Sequence, residues 1–246
     1  MPGGSSSSCP ASAVTLRQWI ARLPMRAACC WKLKLLLTLI LSVFFCVPYF
    51  LIGNFPLFPV HDLPLSWIDR AIGFHPTGWV WIYQSIYILT NIIPWLARSR
   101  DDLLRYLRGF VILCSISFVI FFFAPIRAPK PHIAAPSGMY WVLQLYDVPI
   151  NSLPSLHAGW LVYSLCFGRR IFENDLPKGV AALCLIWSGL ILYGTLATKE
   201  HYLIDLVAGA VLAIAVHTLV WRNTKRVTAG RARERAISGS PLPAES

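Results

Sequence analysis

Two residues near the C-terminal end of the chain have a spacing that suits nucleophilic catalysis. His201 and Asp205 are four residues apart, so in a helix they share one face. A carboxylate so placed accepts the Nδ1 proton of the imidazole and leaves the Nε2 lone pair free. It also stabilises the cationic ring once a bond forms at Nε2. The pair therefore predicts a histidine held in its nucleophilic tautomer.

A second histidine follows a helix-start signal. His157 comes after Pro154 and Ser155, and proline in a first turn favours the start of a helix. The Ser155 hydroxyl and the unpaired N–H groups of that turn are predicted to bind an anion. In this position His157 can donate a proton to a leaving oxygen.

Three cations lie on segments predicted to share a membrane face with these groups. Arg127 and Lys130 sit in a proline-rich segment, and Lys199 comes two residues before His201. A phosphoryl group in transfer spreads negative charge over its oxygens, and cations aimed at those oxygens stabilise it. Lys199 is equally consistent with an interfacial lysine whose ammonium group extends into water while its apolar stem is buried.

The rest of the chain has the composition of a membrane protein. Of its 246 residues, 56% are hydrophobic and 13% are charged, well below the charged fraction of soluble chains. The fold class predicted is all-α, a polytopic bundle of six transmembrane helices. The six apolar stretches are about 33–52, 79–97, 109–125, 154–168, 179–197 and 203–221.

Charge placement predicts the orientation of the bundle. Of the 22 Lys and Arg residues, 18 flank the stretches on one side, which is the positive-inside bias. Both termini should then be cytoplasmic, with the histidines on the non-cytoplasmic face. The predicted units are a disordered or amphipathic N-terminus (1–30), a membrane domain (31–222) and a basic disordered tail (223–246). The same placement argues against nucleic acid as a partner, despite the net charge of +11.

The residues described above resemble the three motifs of the type 2 phosphatidic acid phosphatase superfamily. They are a basic, proline-containing first motif at Arg127–Pro131, a Pro-Ser-x-His motif at Pro154–His157, and a His-x-x-x-Asp motif at His201–Asp205. The resemblance covers about residues 79–221 and agrees with six spans and outward-facing motifs.

The resemblance implies a mechanism and a substrate class. His201 would form a phosphohistidine, Asp205 would orient it, and His157 would be the general acid. Phosphate would be held by Ser155, Arg127 and Lys130, with Lys199 adding to the positive field. No metal or other cofactor is implied, and the partner is a membrane lipid.

Two departures from the family pattern point to one branch of it. Phe123 stands where the first motif usually has a lysine, and Thr195 stands where the third usually has an arginine. Inositol phosphorylceramide synthases and sphingomyelin synthases show a similar absence of the arginine, and the chain most resembles the inositolphosphotransferase type. A diester phosphate carries less charge than a monoester, which fits the loss of a cation.

Other functions remain open at this stage. With water as acceptor, the same site would make a lipid phosphate phosphatase. A proton-coupled transporter would use His157, His201 and Asp205 as a relay, although no ionisable path crosses the apolar stretches. A zinc hydrolase would use the same three residues as ligands, but their spacing is not a metal motif and the neighbouring cations would repel the ion.

Overall fold

The structure is a computed structural model, and it describes most of the chain. The described residues are 14–131, 133, 138–146, 149–173 and 175–238, without the side chains of 146 and 223–238. Within them the chain forms ten helices and one short parallel sheet of two strands. The all-α prediction therefore holds apart from this small sheet.

The elements follow one another as a series of helices with short connections. The first half comprises α1 (Leu16–Ala28), α2 (Trp31–Asn54), β1 (His61–Asp62), α3 (Trp67–Ala71), α4 (Gly78–Gln84) and α5 (Ile86–Trp95). The second half comprises α6 (Arg100–Phe123), β2 (Ile126–Arg127), α7 (Gly138–Tyr146), α8 (Leu156–Phe172), α9 (Lys178–Ala197) and α10 (Leu203–Ser238).

Polar residues start several of these helices. The hydroxyl groups of Thr15, Ser66, Ser99 and Ser155 each accept a hydrogen bond from the backbone N–H three residues later. Such caps satisfy N–H groups that have no partner inside the helix. The cap at Ser155 places the start of α8 where the sequence predicts it.

Four helices of the described chain are long and apolar enough to cross a membrane. They are α2, α6, α9 and the Leu203–Arg222 part of α10, which indicates an integral membrane protein. The six-helix prediction is not confirmed. The second predicted stretch divides at Ser85, whose hydroxyl donates to the Ile82 carbonyl (2.6 Å). The fourth forms α8, which has 17 residues.

At both ends of the chain, helix lies outside the predicted membrane domain 31–222. Helix α1 lies inside the N-terminal segment 1–30, and residues 1–13 fall outside the described chain. At the other end, α10 continues to Ser238, whereas the sequence predicts a disordered tail from residue 223. Alanine and arginine are frequent there and favour helix. Residues 239–246 also fall outside the described chain.

Helix α1 is tied to the ends of α5 and α8 and to the connection that follows α8. The buried guanidinium of Arg26 donates to Asp175 (3.2 Å) and to the carbonyl oxygens of Leu96 and Ile171 (both 3.4 Å). It also lies over the ring of Phe172, 4.5 Å from the centroid. These contacts close one end of the bundle, the end opposite the two histidines.

Helices α8 and α10 approach each other closely through glycine. A Cβ atom at Gly209 would overlap the carbonyl oxygen of Ser155 and lie 3.1 Å from the backbone nitrogen of Gly159. Small residues at such crossings let helix backbones pack in membranes. This close approach brings the start of α8 against the start of α10, where the two histidine motifs lie.

Replacing Gly209 with alanine should therefore destabilise the protein. The clash is with backbone, which cannot move like a flexible side chain, and overpacking of this kind costs about 1–3 kcal/mol. Gly189→Ala is the matched control, because a Cβ there meets nothing within 4 Å. Thermal unfolding in detergent should show a lower midpoint for Gly209→Ala alone. Equal midpoints for the two variants would show that the helices tolerate the added methyl group.

Candidate active site

The two predicted histidines meet in the structure. Nδ1 of His157, at the start of α8, lies 3.0 Å from Nε2 of His201, just before α10. The ring centroids are 5.3 Å apart, and the residues are 7% and 5% exposed. Both rings therefore lie in one buried site, although 44 residues separate them in the chain.

Asp205 lies behind His201, as the spacing predicts. Its Oδ2 is 3.5 Å from Nδ1 of His201, and the residue is 0% exposed. The same oxygen accepts the backbone N–H of Tyr202 (2.9 Å) and the hydroxyl of Ser152. The geometry differs from the prediction in one respect: α10 begins at Leu203, so His201 precedes the helix and Asp205 lies in its first turn.

Ser152 is a site residue that sequence reasoning missed. Besides donating to Asp205, its hydroxyl lies 3.4 Å from Nδ1 of His201. It therefore joins carboxylate and imidazole and helps to orient both. The residue comes only three positions before Ser155, but a serine ahead of a helix gives no sign by itself that it reaches a partner 53 residues away.

Two tyrosines on the other side of His157 were also missed. The hydroxyl oxygens of Tyr83 and Tyr87 lie 2.9 Å and 3.0 Å from Nε2 of His157. Tyr83 is completely buried and its ring contacts the imidazole edge to face. Their four-residue spacing was the available signal, but aromatic residues in a membrane segment usually mark an interface.

The hydrogen-bond partners assign the protons along this chain of rings. Ser152 donates its hydroxyl proton to Asp205, so its oxygen can accept from Nδ1–H of His201 (3.4 Å), and the carboxylate lies 3.5 Å from the same nitrogen. Nε2 of His201 is then an acceptor, and Nδ1 of His157 donates to it. The hydroxyl oxygens of Tyr83 and Tyr87 accept from Nε2 of His157 when that nitrogen also carries a proton.

Ser155 lies beside the histidines but its hydroxyl has a structural partner. The side chain accepts the backbone N–H of Ala158 (3.2 Å) as the cap of α8, and the residue is 1% exposed. Its own N–H donates to the backbone carbonyl of Asp205 (3.0 Å). Ser155 therefore joins the second and third motifs through the backbone.

Lys130 reaches the site as half of an ion pair. Its ammonium contacts the carboxylate of Glu200, and the two side chains are 12% and 0% exposed. Both residues line a cavity of about 10 Å³ together with Ser152 and His201, roughly the space of one water molecule. Glu200, which sequence reasoning missed, thus places a negative charge next to the predicted phosphate-binding lysine.

Arg127 does not join the two histidines. Its side chain is 55% exposed, and Nε lies 3.9 Å from the carboxylate of Asp62, its partner in the two-stranded sheet. Arg127 is not among the residues that line the cavity next to His201. The predicted phosphate contact therefore needs its flexible side chain to leave Asp62.

Lys199 has a different role from the predicted one. Its ammonium donates to the carbonyl oxygens of Asp69 (2.6 Å) and Ile72 (2.7 Å) at the end of α3, and its backbone has φ +58°. The Asp69 carboxylate accepts the Leu203 N–H (2.9 Å). Burial raises the pKa of Asp69, but hydrogen bonds from Ser66 and Leu203 and the charge of Lys199 bring it below its usual value. These contacts hold the turn that carries His201.

The two positions that depart from the family pattern offer no replacement cation. Phe123 is 61% exposed at the end of α6, and Thr195 is fully buried, with its hydroxyl donating to the Leu192 carbonyl (2.7 Å). Among the described residues there is also no group of three His, Cys, Asp or Glu side chains that could hold a metal ion.

Removing Lys130 should destabilise the folded protein. Lys130→Met leaves the buried Glu200 carboxylate without its cation, and breaking one partner of a buried pair costs about 3–5 kcal/mol. The double variant Lys130→Met/Glu200→Gln should recover most of that loss, because no charge then remains to be buried. Thermal unfolding in detergent measures both variants. Equal instability of the single and double variants would contradict the pairing.

One comparison with known proteins finds a relationship. A family model described as the PAP2 superfamily, the type 2 phosphatidic acid phosphatases, matches residues 64–219. That range contains α3 to α9, most of the membrane-spanning part of α10, and all the site residues described above. No curated protein and no solved structure matches the chain.

Proposed function

The chain belongs to the PAP2 superfamily, and from that premise we propose that it transfers a phosphoryl-linked head group from a membrane lipid to an alcohol. The membership supports a phosphatase-type enzyme acting on lipid phosphoesters. The contact between Nδ1 of His157 and Nε2 of His201 (3.0 Å), backed by Asp205, carries the proposal, because it places an acid and a nucleophile where one phosphorus atom can reach both.

In the first step, Nε2 of His201 attacks phosphorus. A nitrogen–phosphorus bond forms while the bond from phosphorus to the leaving alcohol oxygen breaks. His157 enters this step as the imidazolium ion and gives its Nδ1 proton to that oxygen, so the alcohol leaves neutral and His157 keeps one proton, on Nε2. The Asp205 carboxylate stabilises the cationic ring of His201. The phosphate enters between the two rings and takes the place of their direct hydrogen bond.

In the second step, an acceptor hydroxyl attacks the phosphohistidine. His157 now takes the proton of the acceptor through Nδ1, and the bond between Nε2 of His201 and phosphorus breaks. The enzyme returns to its first state with His157 protonated again on Nδ1. Tyr83 and Tyr87 act as positioning residues in both steps, because their hydroxyl oxygens accept from Nε2–H of His157 and so aim Nδ1 at the reacting oxygen.

The charges near the site suit a phosphodiester. Lys130 shares its charge with Glu200, and the structure gives Lys199 backbone carbonyls as partners. The positive end of the α8 helix dipole supplies further stabilisation of the phosphoryl oxygens. A diester needs less positive charge than a monoester. This supports the inositolphosphotransferase-like reaction over simple removal of a terminal phosphate.

The orientation in the membrane is part of the proposal. Both termini are placed in the cytoplasm and the histidines on the non-cytoplasmic face, because most Lys and Arg residues flank the apolar helices on the other side. The membrane domain comprises residues 31–222. In this arrangement α4 with α5, and α8, cross together with the four longer helices.

A head-group label decides between transfer and hydrolysis. The purified protein would receive a phospholipid labelled in its phosphoryl head group, together with lipids that carry a free hydroxyl. We expect the label to appear on a new lipid. Release of the label to water at the same rate, with or without acceptor lipid, would favour a lipid phosphatase instead. A chelator in the same assay should leave turnover intact, since no step above uses a metal.

A further inference from the structure

A long cavity leads away from His157 into the membrane part of the bundle. Its volume is about 300 Å³, and it lies between α2, α5, α6 and α8, at the lower end of the size range of ligand pockets. One end is formed by His157, Tyr87 and Tyr49, and the other by Lys34 and Trp95. Nothing in the two reaction steps requires a space of this shape.

The walls of the cavity are apolar over most of its length. Leucine and aromatic side chains dominate the lining, among them Leu37, Leu41, Phe45, Leu107, Phe110 and Trp160. Such a surface has a lower free energy in contact with hydrocarbon than in contact with water. The cavity is therefore suited to an apolar ligand whose reactive end lies at His157.

Polar contacts close the far end of the cavity. Lys34 is 2% exposed and its ammonium donates to the Arg26 carbonyl (2.7 Å). The indole N–H of Trp95 donates to the hydroxyl of Thr38 (3.1 Å), which joins α5 to α2. From Lys34 to Tyr49 the helix rise gives a length of about 22 Å. A volume of about 300 Å³ over that length makes the cavity narrow.

The side of the cavity is open towards the bilayer. Three of its lining residues, Ser42, Cys46 and Phe50, are exposed. They recur at every fourth position along α2 and so form one line on its surface. An opening along this line allows a hydrocarbon chain to enter laterally from the bilayer.

Resting on the proposed function, we propose that this cavity holds one hydrocarbon chain of the lipid substrate. The hydrocarbon chain enters laterally beside α2. The phosphoester of the lipid lies at His157 next to His201, and the far end of the hydrocarbon chain lies near Lys34. The cavity is longer than one leaflet, since half of a hydrocarbon core of about 30 Å is about 15 Å. The site is therefore selective for a long chain, and any second chain stays in the bilayer.

Filling the cavity tests this assignment. Cys46→Trp puts an indole on the line of exposed lining residues. Val47→Trp is the matched control, because Val47 is 51% exposed on the same helix but does not line the cavity. Each variant and the unchanged protein would be assayed with a long-chain phospholipid in vesicles and with its short-chain, water-soluble counterpart bearing the same head group.

We expect Cys46→Trp to lower turnover of the long-chain lipid by about tenfold or more, because several methylene groups lose their apolar contacts. Turnover of the short-chain compound should stay within about twofold, and Val47→Trp should change neither. Equal turnover of the long-chain lipid by the two variants would overturn the chain-binding cavity, as would equal loss on both substrates by Cys46→Trp. If the unchanged protein turned over neither compound, the proposed function itself would fail.

Discussion

Replacing His201 with alanine should abolish turnover of lipid phosphoesters while the protein still folds. The residue is the proposed nucleophile, and removing a nucleophile that forms a covalent intermediate costs about 10⁴-fold or more. Its contacts are with His157, Ser152 and Asp205, so the loss falls on the reacting atoms rather than on the apolar core. The measurement is initial rate in detergent, with thermal unfolding recorded on the same preparation.

His217→Ala is the matched control for this variant. His217 lies on α10, about 21 Å by helix rise from Leu203 at the start of that helix, and its ring packs near Tyr163 and Trp221. The same substitution there should leave the rate nearly unchanged. Substantial turnover by a folded His201→Ala protein would show that another group attacks phosphorus.

Replacing His157 with glutamine should have the second largest effect, and its size should depend on the leaving group. Loss of a general acid or base costs about 10²- to 10⁴-fold. A lipid alcohol is a poor leaving group and needs the proton from Nδ1. A nitrophenolate leaves without one, so the first step of a nitrophenyl phosphodiester should be slowed much less.

The second step of that reaction should still be slow. It needs His157 as the base, so the His157→Gln protein should release a burst of nitrophenol, one molecule per enzyme, and then stall as a phosphohistidine. Rapid-mixing absorbance measurements detect such a burst. Equal slowing of the lipid and the nitrophenyl substrate, without a burst, would contradict the role of His157 as acid and base.

The sequence was sufficient to predict that three residues of the candidate site lie together. His157, His201 and Asp205 have spacings that carry chemical meaning by themselves, and the structure brings them together. The helical class of the fold also follows from composition, because long apolar segments satisfy their backbone polar groups in a membrane by forming helices. Helix bounds were harder to predict: the stretch 79–97 divides into α4 and α5, and α8 runs to Phe172, four residues beyond the stretch 154–168.

The partners of the central residues could not be predicted, because they depend on how helices pack. Tyr83 lies 74 residues before His157 in the chain, and Ser152 reaches Asp205 only because Gly209 lets α10 approach α8. The contacts of Lys199 could not be predicted for the same reason. Its position beside His201 suggested a phosphate contact, but the turn that it occupies directs its ammonium to the end of α3.

Trapping the covalent intermediate tests the mechanism most directly. The His157→Gln protein would be mixed with an excess of nitrophenyl phosphodiester, digested under alkaline conditions that preserve phosphoramidates, and analysed by peptide mass spectrometry. We predict one phosphoryl adduct, located on His201 and absent from a His201→Ala/His157→Gln protein. An adduct on another residue, or turnover of the diester by the unchanged protein without any trapped adduct, would contradict it.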